Sequence, residues 1–183
     1  MTTATHLITA EQFFEGRNDH CELIEGEVVQ MAPGGIDHGS IHRKISNAVG
    51  NFVDERQLGW VVGAETGFIV ARNPDTVLAP DVAFIPLERA PLESYPGFFK
   101  GAPDLVVEVV SPNDRASEVA TKVDRWIGAG AKSVWVVDPP NKRLDAYRAD
   151  GSVQRFKSTD VVENDPGLPG FSLSLERLFR SMR

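Results

Sequence analysis

Residues 103–112 read Pro-Asp-Leu-Val-Val-Glu-Val-Val-Ser-Pro and set one carboxylate, Glu108, inside an apolar, β-branched run. Such a run, bounded by turn residues, predicts a strand buried on both faces, where an unpaired carboxylate is strongly disfavoured. Glu108 therefore calls for a partner, and a cation meets that need best. The run at 78–85, Leu-Ala-Pro-Asp-Val-Ala-Phe-Ile, carries Asp81 in the same kind of setting. One buried acid can be satisfied by a structural ion pair with Arg or Lys. Two acids on two buried strands point to a shared metal site.

The elements that must hold these acids follow an α+β order. Thr9-Ala-Glu-Gln12 has capping-box spacing and opens a short helix to about Gly16. Residues 21–31 read as a hairpin turning at Glu25-Gly26. From Asp37, a plausible cap, to about Arg56 the apolar positions Ile41, Ile45, Ala48, Val49, Phe52 and Val53 recur at helical spacing and predict a long amphipathic helix. A strand is expected over 60–70, bent at Gly63 and Gly67, then a turn at 72–76 and the Asp81 strand over 78–85. Residues 86–103, rich in Pro (including Pro91) and Gly, read as a long loop. After the Glu108 strand, Ser111-Pro112-Asn113-Asp114 starts a helix to about Gly128, its apolar face made by Ala116, Val119, Val123, Trp126 and Ile127. A buried strand at 133–138 completes a strand–helix–strand crossover, so parallel pairing is expected. Strands at 144–148 and 153–157 flank the Asp150-Gly151 turn, and a short extended piece leads into a capped terminal helix.

Composition narrows the function. A chain of 183 residues, 42% hydrophobic and 25% charged, fits a single domain over 1–183. Its apolar runs fall far short of the ~20 residues a membrane span needs. No signal pattern opens the sequence, so a cytoplasmic protein is expected. The one cysteine, Cys21, cannot close an intramolecular disulfide and reads as a core or near-core residue. A net charge of −7 argues against a protein that simply coats nucleic acid, since such binding rests on many Lys and Arg contacts to phosphate. It leaves room for an enzyme with a local basic surface. Two clusters could supply one: Lys142, Arg143, Arg148, Arg155 and Lys157 on the hairpin, and His42, Arg43 and Lys44 on the long helix.

Taken together, Cys-Glu-Leu-Ile-Glu-Gly-Glu-Val at 21–28, His38 ahead of the long helix, Ala-Pro-Asp-Val-Ala-Phe at 79–84, Gly-Ala-Pro-Asp-Leu-Val-Val-Glu-Val-Val-Ser-Pro at 101–112, Val-Trp-Val-Val-Asp-Pro at 134–139 and Leu-Pro-Gly-Phe-Ser-Leu at 168–173 resemble one family. It is the PD-(D/E)XK, or restriction-endonuclease-like, superfamily, and within it the bacterial Uma-type endonucleases. The resemblance implies a mixed β-sheet flanked by helices and metal-dependent hydrolysis of phosphodiester bonds in nucleic acid, DNA above all.

Carried over by residue, the resemblance puts Pro80-Asp81 at the PD position and Glu108 at the (D/E) position. Val110 stands where the pattern has lysine, so the signature fails at a catalytic position. Lys122, on the following helix at the edge of its buried face, is the candidate replacement; otherwise it is a lysine snorkelling along an apolar edge. Asp81, Glu108 and the backbone carbonyl of Val109 would hold Mg²⁺ or Mn²⁺, while Lys122 would orient the attacking water or stabilise the transition state. Glu22 is a further acid near the site, and His38 a substrate or outer ligand at the helix's positive end. Two strands to cut suggest a homodimer. Two other readings stand beside the nuclease: a degenerate nuclease fold used as an interaction module, and a hydrolase of small phosphodiesters.

Overall fold

The computed structural model describes residues 7–16, 19–90, 95–111 and 114–180. Helix α1 (Ala10–Glu15) opens on the expected capping box, with Thr9 and Gln12 satisfying each other's backbone N–H groups. Strands β1 (Cys21–Ile24) and β2 (Glu27–Gln30) form the hairpin, and its turn residues Glu25 and Gly26 both have positive φ, as a tight two-residue turn requires.

Helix α2 (Ile36–Arg56) buries Ile41, Ile45, Val49 and Val53 as one stripe, with Ala48 and Phe52 along its margin. Asp37 is not the cap. Gly35 is, and it brings no side chain to the helix end; Asp37 lies inside the first turn, where its carboxylate complements the helix dipole.

The single strand expected over 60–70 is two, β3 (Gly59–Gly63) and β4 (Phe68–Ala71), in different sheets, because the chain turns away between the two glycines. The same holds for 78–85. Strand β5 (Thr76–Leu78) ends before Ala79-Pro80-Asp81 and β6 (Val82–Pro86) begins after it in another sheet. Pro80 explains the break: without an N–H it cannot sit in the middle of a paired strand. The loop expected over 86–103 contains a short strand, β7 (Phe99–Lys100), parallel to β4, while its residues 91–94, Pro91 among them, lie outside the described residues.

Strand β8 (Leu105–Val109) leads to α3 (Ala116–Gly128), and the expected Pro112-Asn113 start likewise lies outside the described residues. Helix α3 buries Val123 and Trp126, with Val119 and Ile127 partly covered; Ala116, expected on that face, is exposed because the helix has only just begun there. Strand β9 (Ser133–Asp138) pairs in parallel with β8, and β10 (Arg143–Arg148) and β11 (Val153–Lys157) complete the hairpin. A strand with no expectation behind it, β12 (Val161–Glu163), pairs with β13 (Ser172–Ser174) ahead of the Ser174-capped helix α4 (Leu175–Phe179).

The architecture is mixed α+β. A six-stranded sheet runs β11-β10-β9-β8-β6-β3, with only the β8–β9 pair parallel. One of its faces carries Val82, Phe84, Leu105, Val107, Trp135 and Val137 and packs under α2 and α4. The other carries Ala83, Val106, Val134 and Val136, and meets Val123 and Trp126 of α3 as well as Phe68 and Leu78. The last two belong to a five-stranded sheet, β2-β1-β5-β4-β7, whose far face holds Leu23, Ile69 and Val77 against Ala10 and Phe13 of α1. Alternation along each strand decides which side chains enter the seam between the sheets. Glu108 shares the side of Val106, and Glu22 lies opposite in sense to Leu23, so both carboxylates point into that seam.

Candidate active site at the seam between two sheets

Strands β6 and β8 pair antiparallel with Val82 opposite Val107, so the register continues to set Asp81 opposite Glu108. Side chains at directly opposed positions share one face. Asp81 and Glu108 both line one cleft of about 580 Å³, together with Glu22, His38 and Lys122. Asp81 sits just beyond the end of β6. There its Oδ2 accepts the N–H of Val109 at 2.7 Å, replacing the strand partner that β6 no longer supplies. Val110 donates its own N–H to Val137 on the other side, so by alternation the N–H and the carbonyl of Val109 both face the Asp81 edge.

Glu108 has both carboxylate oxygens engaged. Lys122 Nζ lies 3.0 Å from Oε2, and the indole Nε1–H of Trp126 donates to Oε1 at 2.8 Å. The lysine comes from α3 one turn before Trp126, so packing of the indole in the core places the ammonium at the strand end. The same ammonium is 2.9 Å from Glu22 Oε1. Glu22, only 5% exposed, also accepts the N–H of Ala79 at 2.9 Å. The hairpin acid is thus buried, because β1 turns that face of the five-stranded sheet toward α3.

His38 projects from the first turn of α2, and its ring lies over Gly34, where a Cβ would come within 2.7 Å of Nδ1. Its Nε2 is 3.0 Å from Asp81 Oδ1 but off the line of a hydrogen bond, so a protonated imidazole would act on the acid chiefly by charge. His42, one turn further, also faces inward beside Gly63, its buried Nε2 lacking a hydrogen-bond partner. His42 is thus not part of the surface cluster expected with Arg43 and Lys44; its spacing of four from His38 is the signal in the sequence for the inward turn.

Several cations of the two surface clusters are already paired. Arg155 makes a bidentate contact with Asp145 at 2.7 and 2.9 Å, Arg143 faces Asp138 at 3.2 Å, and Arg148 faces buried Asp165 at 3.6 Å. Lys44 donates to the carbonyls of Leu178 and Arg180, closing the end of α4. Each of these cations already has an acceptor because the hairpin acids and the α4 carbonyls would otherwise be left without one. Cys21 is partly buried at the cleft edge, near the core as expected.

The electrostatics are those of crowded acids. Burial pushes the Glu108 carboxyl up to about 7; Lys122 pulls it back, while Glu22 and Asp81 push it further up. Burial also raises Asp81, against the pull of the Val109 N–H, His38, Lys122 and His42. Burial alone would lower Lys122, but the charges of Glu108 and Glu22 outweigh it and hold the ammonium well above its ordinary value. Three buried acids share one lysine, and such a donor set has room for more positive charge. Among the described residues no three His, Cys, Asp or Glu side chains converge as a ready metal cage. Two carboxylates and a main-chain carbonyl nevertheless suit Mg²⁺, which keeps several waters and is held by one or two carboxylates plus substrate oxygens.

A family described as "Putative restriction endonuclease" matches residues 7–176. The chain belongs to the Uma2 family. Among solved structures it is similar to one described as a "putative nuclease belonging to DUF820" from Anabaena variabilis ATCC 29413, with a TM-score of 0.77 and 23% identity over 94% of this chain and 97% of that one. That likeness shows that this Uma2 member shares the fold of that protein. No curated protein matches. No helix among the described residues is long and apolar enough to cross a membrane.

Proposed function

We propose that this Uma2 protein is a metal-dependent endonuclease, a single domain over 1–183 that hydrolyses phosphodiester bonds of nucleic acid, DNA above all, in the cytoplasm and as a homodimer. The observation that carries this reading is Lys122, which reaches the end of β8 from α3 and sits between Glu108 and Glu22. It offers the cation that Val110 fails to supply, at the acid where the reaction needs it.

Asp81, Glu108 and the Val109 carbonyl would hold Mg²⁺ or Mn²⁺. The ion, when bound, supplies an activated water and neutralises charge on the phosphate. Lys122 then serves the reaction with its remaining N–H capacity, donating to the attacking water or to a phosphoryl oxygen as charge develops. Glu22 is the positioning residue: its carboxylate anchors the ammonium from the opposite sheet. Trp126 fixes the rotamer of Glu108, and His38 holds Asp81 from the side of α2 and offers a donor to a phosphate oxygen.

Purified protein incubated with supercoiled plasmid, single-stranded DNA and RNA, each with Mg²⁺, Mn²⁺ or chelator, tests the reading. Cleavage that requires the metal and disappears in Asp81→Asn is expected. Uncut nucleic acid under every condition, with no metal heat in calorimetry, would put the interaction module ahead; uncut nucleic acid with hydrolysis of a small phosphodiester dye would favour the small-molecule hydrolase.

A further inference from the structure

A cleft lined by Glu22, Asp81, Glu108 and, further out, Asp19, Glu65 and Asp114 suits a cation, and its ligand atoms decide which kind. Carboxylates, main-chain carbonyls and water serve Mg²⁺, whereas an imidazole nitrogen in the same sphere shifts the preference toward first-row transition ions. Two histidines turn inward from α2, His38 and, one turn on, His42. Their Nε2 atoms are both buried and, among the described residues, make no hydrogen bond. A buried ring nitrogen left so is costly, and it calls for a partner.

The two rings face different parts of Asp81. His42 Nε2 lies 3.8 Å from where a Cβ on Gly63 would stand, and that point is 3.7 Å from the main-chain oxygen of Asp81. His42 therefore borders the backbone of the acid. His38 Nε2 meets the carboxylate itself, 3.0 Å from Oδ1 and off the line of a hydrogen bond. The other oxygen, Oδ2, is committed to the N–H of Val109 at 2.7 Å. Oδ1 is thus the oxygen left for a metal, and its neighbour is an imidazole. Two ligand atoms each about 2.1 Å from one ion, at right angles, stand about 3 Å apart. The His38–Asp81 contact already has that spacing, with the nitrogen aimed beside the oxygen and not at it. The two residues form a pair and not a closed cage, which suits an ion that completes its sphere with Glu108, the Val109 carbonyl, water and phosphate oxygens.

We propose that His38 Nε2 is a direct ligand, together with Asp81 Oδ1, of the cation this cleft takes up, and that the cation is a first-row transition ion of the Mn²⁺ to Zn²⁺ class in preference to Mg²⁺. This rests on the metal-dependent reading above for the presence of an ion, and it adds the class of the ion and one of its ligands. Ligation through Nε2 leaves the ring proton on Nδ1, on the Gly34 side of the imidazole. The N–H that His38 can give to a phosphate oxygen is that one.

The test combines calorimetry of the full chain with Mn²⁺ and with Mg²⁺ and pulsed electron paramagnetic resonance of the Mn²⁺-loaded protein carrying isotopically labelled histidine, alongside cleavage assays. Mn²⁺ is expected to bind at least about tenfold more tightly than Mg²⁺, with a histidine nitrogen bonded to the ion in the resonance spectrum. His38→Ala should abolish the nitrogen coupling and weaken Mn²⁺ binding at least about tenfold, with Mg²⁺ binding little changed. His38→Gln, which keeps much of the side-chain volume, should lose the coupling in the same way, and His42→Ala should keep it. Mg²⁺ binding as tight as Mn²⁺ binding would overturn the proposal, as would a spectrum without nitrogen coupling or a coupling that survives both His38 variants. If the coupling depends on His38 but no phosphodiester is cut, the hydrolytic reading falls and the ligand stands. Cleavage supported alike by Mg²⁺ and Mn²⁺, with no nitrogen on the ion, gives the reverse, and no heat with either ion removes both.

Discussion

Lys122 Nζ and Glu108 Oε2 are 3.0 Å apart although they stand fourteen residues apart in the chain, one on a helix and one on a buried strand. The lysine stays charged there, for Glu108 and Glu22 both favour its ammonium over burial. A group held this way has structural and chemical duties that substitutions can separate.

Lys122→Met keeps the stem and removes the charge, leaving two buried acids without their partner. Breaking a buried pair from one side costs about 3–5 kcal/mol, so the melting temperature should fall. Adding Glu22→Gln removes one stranded charge and should recover part of that loss. Cleavage should stay down by orders of magnitude in both variants; a plasmid assay on the double variant that returned full activity would place the catalytic cation elsewhere.

Asp81→Asn offers the opposite trade. The amide oxygen can still accept the Val109 N–H, and the buried charge is gone. Since burial raises the Asp81 carboxyl, ionising it is unfavourable in the metal-free fold. Thermal stability in chelator should therefore hold or rise, while calorimetry should record at least a tenfold loss of Mg²⁺ affinity.

The Glu108 carboxyl titrates at about 7 when folded against 4.5 as its ordinary value. An acid raised in this way binds its proton more tightly folded than unfolded, so it lowers stability as pH climbs from about 4.5 through about 7 and has its full cost above that. The drop is on the order of 3 kcal/mol. Denaturant melts in chelator at pH 5 and pH 8 should show a steeper decline for the unaltered protein than for Glu108→Gln. Equal slopes would mean that Glu108 is ionised across the whole range.

Trp126→Phe should retain most of the edge-on packing against Phe68, whose ring centroid is 5.8 Å away, while deleting the N–H that Glu108 Oε1 accepts. Loss of a hydrogen bond to a charged group costs about 1.5–3 kcal/mol. The acidic limb of the pH–rate profile should move to higher pH, because the proton on Glu108 becomes harder to remove. An unmoved limb would show that some other group sets it.

Much of this was legible beforehand, for identifiable reasons. Local rules announced the Thr9 box, the Glu25-Gly26 turn and the α2 stripe, since each is decided by neighbours in the chain. Glu108 and Asp81 stood out because charge inside an apolar strand is rare, and Lys122 because the family resemblance lacks its lysine at Val110 and helical spacing sets Lys122 one turn from Val119 and from Trp126. Where each strand went was harder to read. An extended run such as 60–70 or 78–85 looks the same whether it stays in one sheet or changes sheets, and only Pro80 and the glycine pair mark the change. The depth of Glu22 and the inward turn of His42 were hidden for a related reason: both depend on what packs opposite, which no local pattern states. Of the hairpin cations' partners, Asp145 lies within the same hairpin and is visible in the sequence, whereas Asp138 and Asp165 come from outside it and only the fold brings them up.

The crossing at Ala79-Pro80-Asp81 divides the labour of the cleft between two mechanical bodies. Asp81, one residue beyond the Val82–Val107 pair, is tied by the Val109 N–H to the end of the strand that bears Glu108, so the spacing of the acids is set within a single layer. Glu22, Gly67 and Phe98 ride on the other layer. The lining that the second layer supplies is independent of the pairing that spaces the acids on the first. Lineages sharing this scaffold can therefore retune what fits by altering the second layer, and keep the bond-breaking geometry of the first.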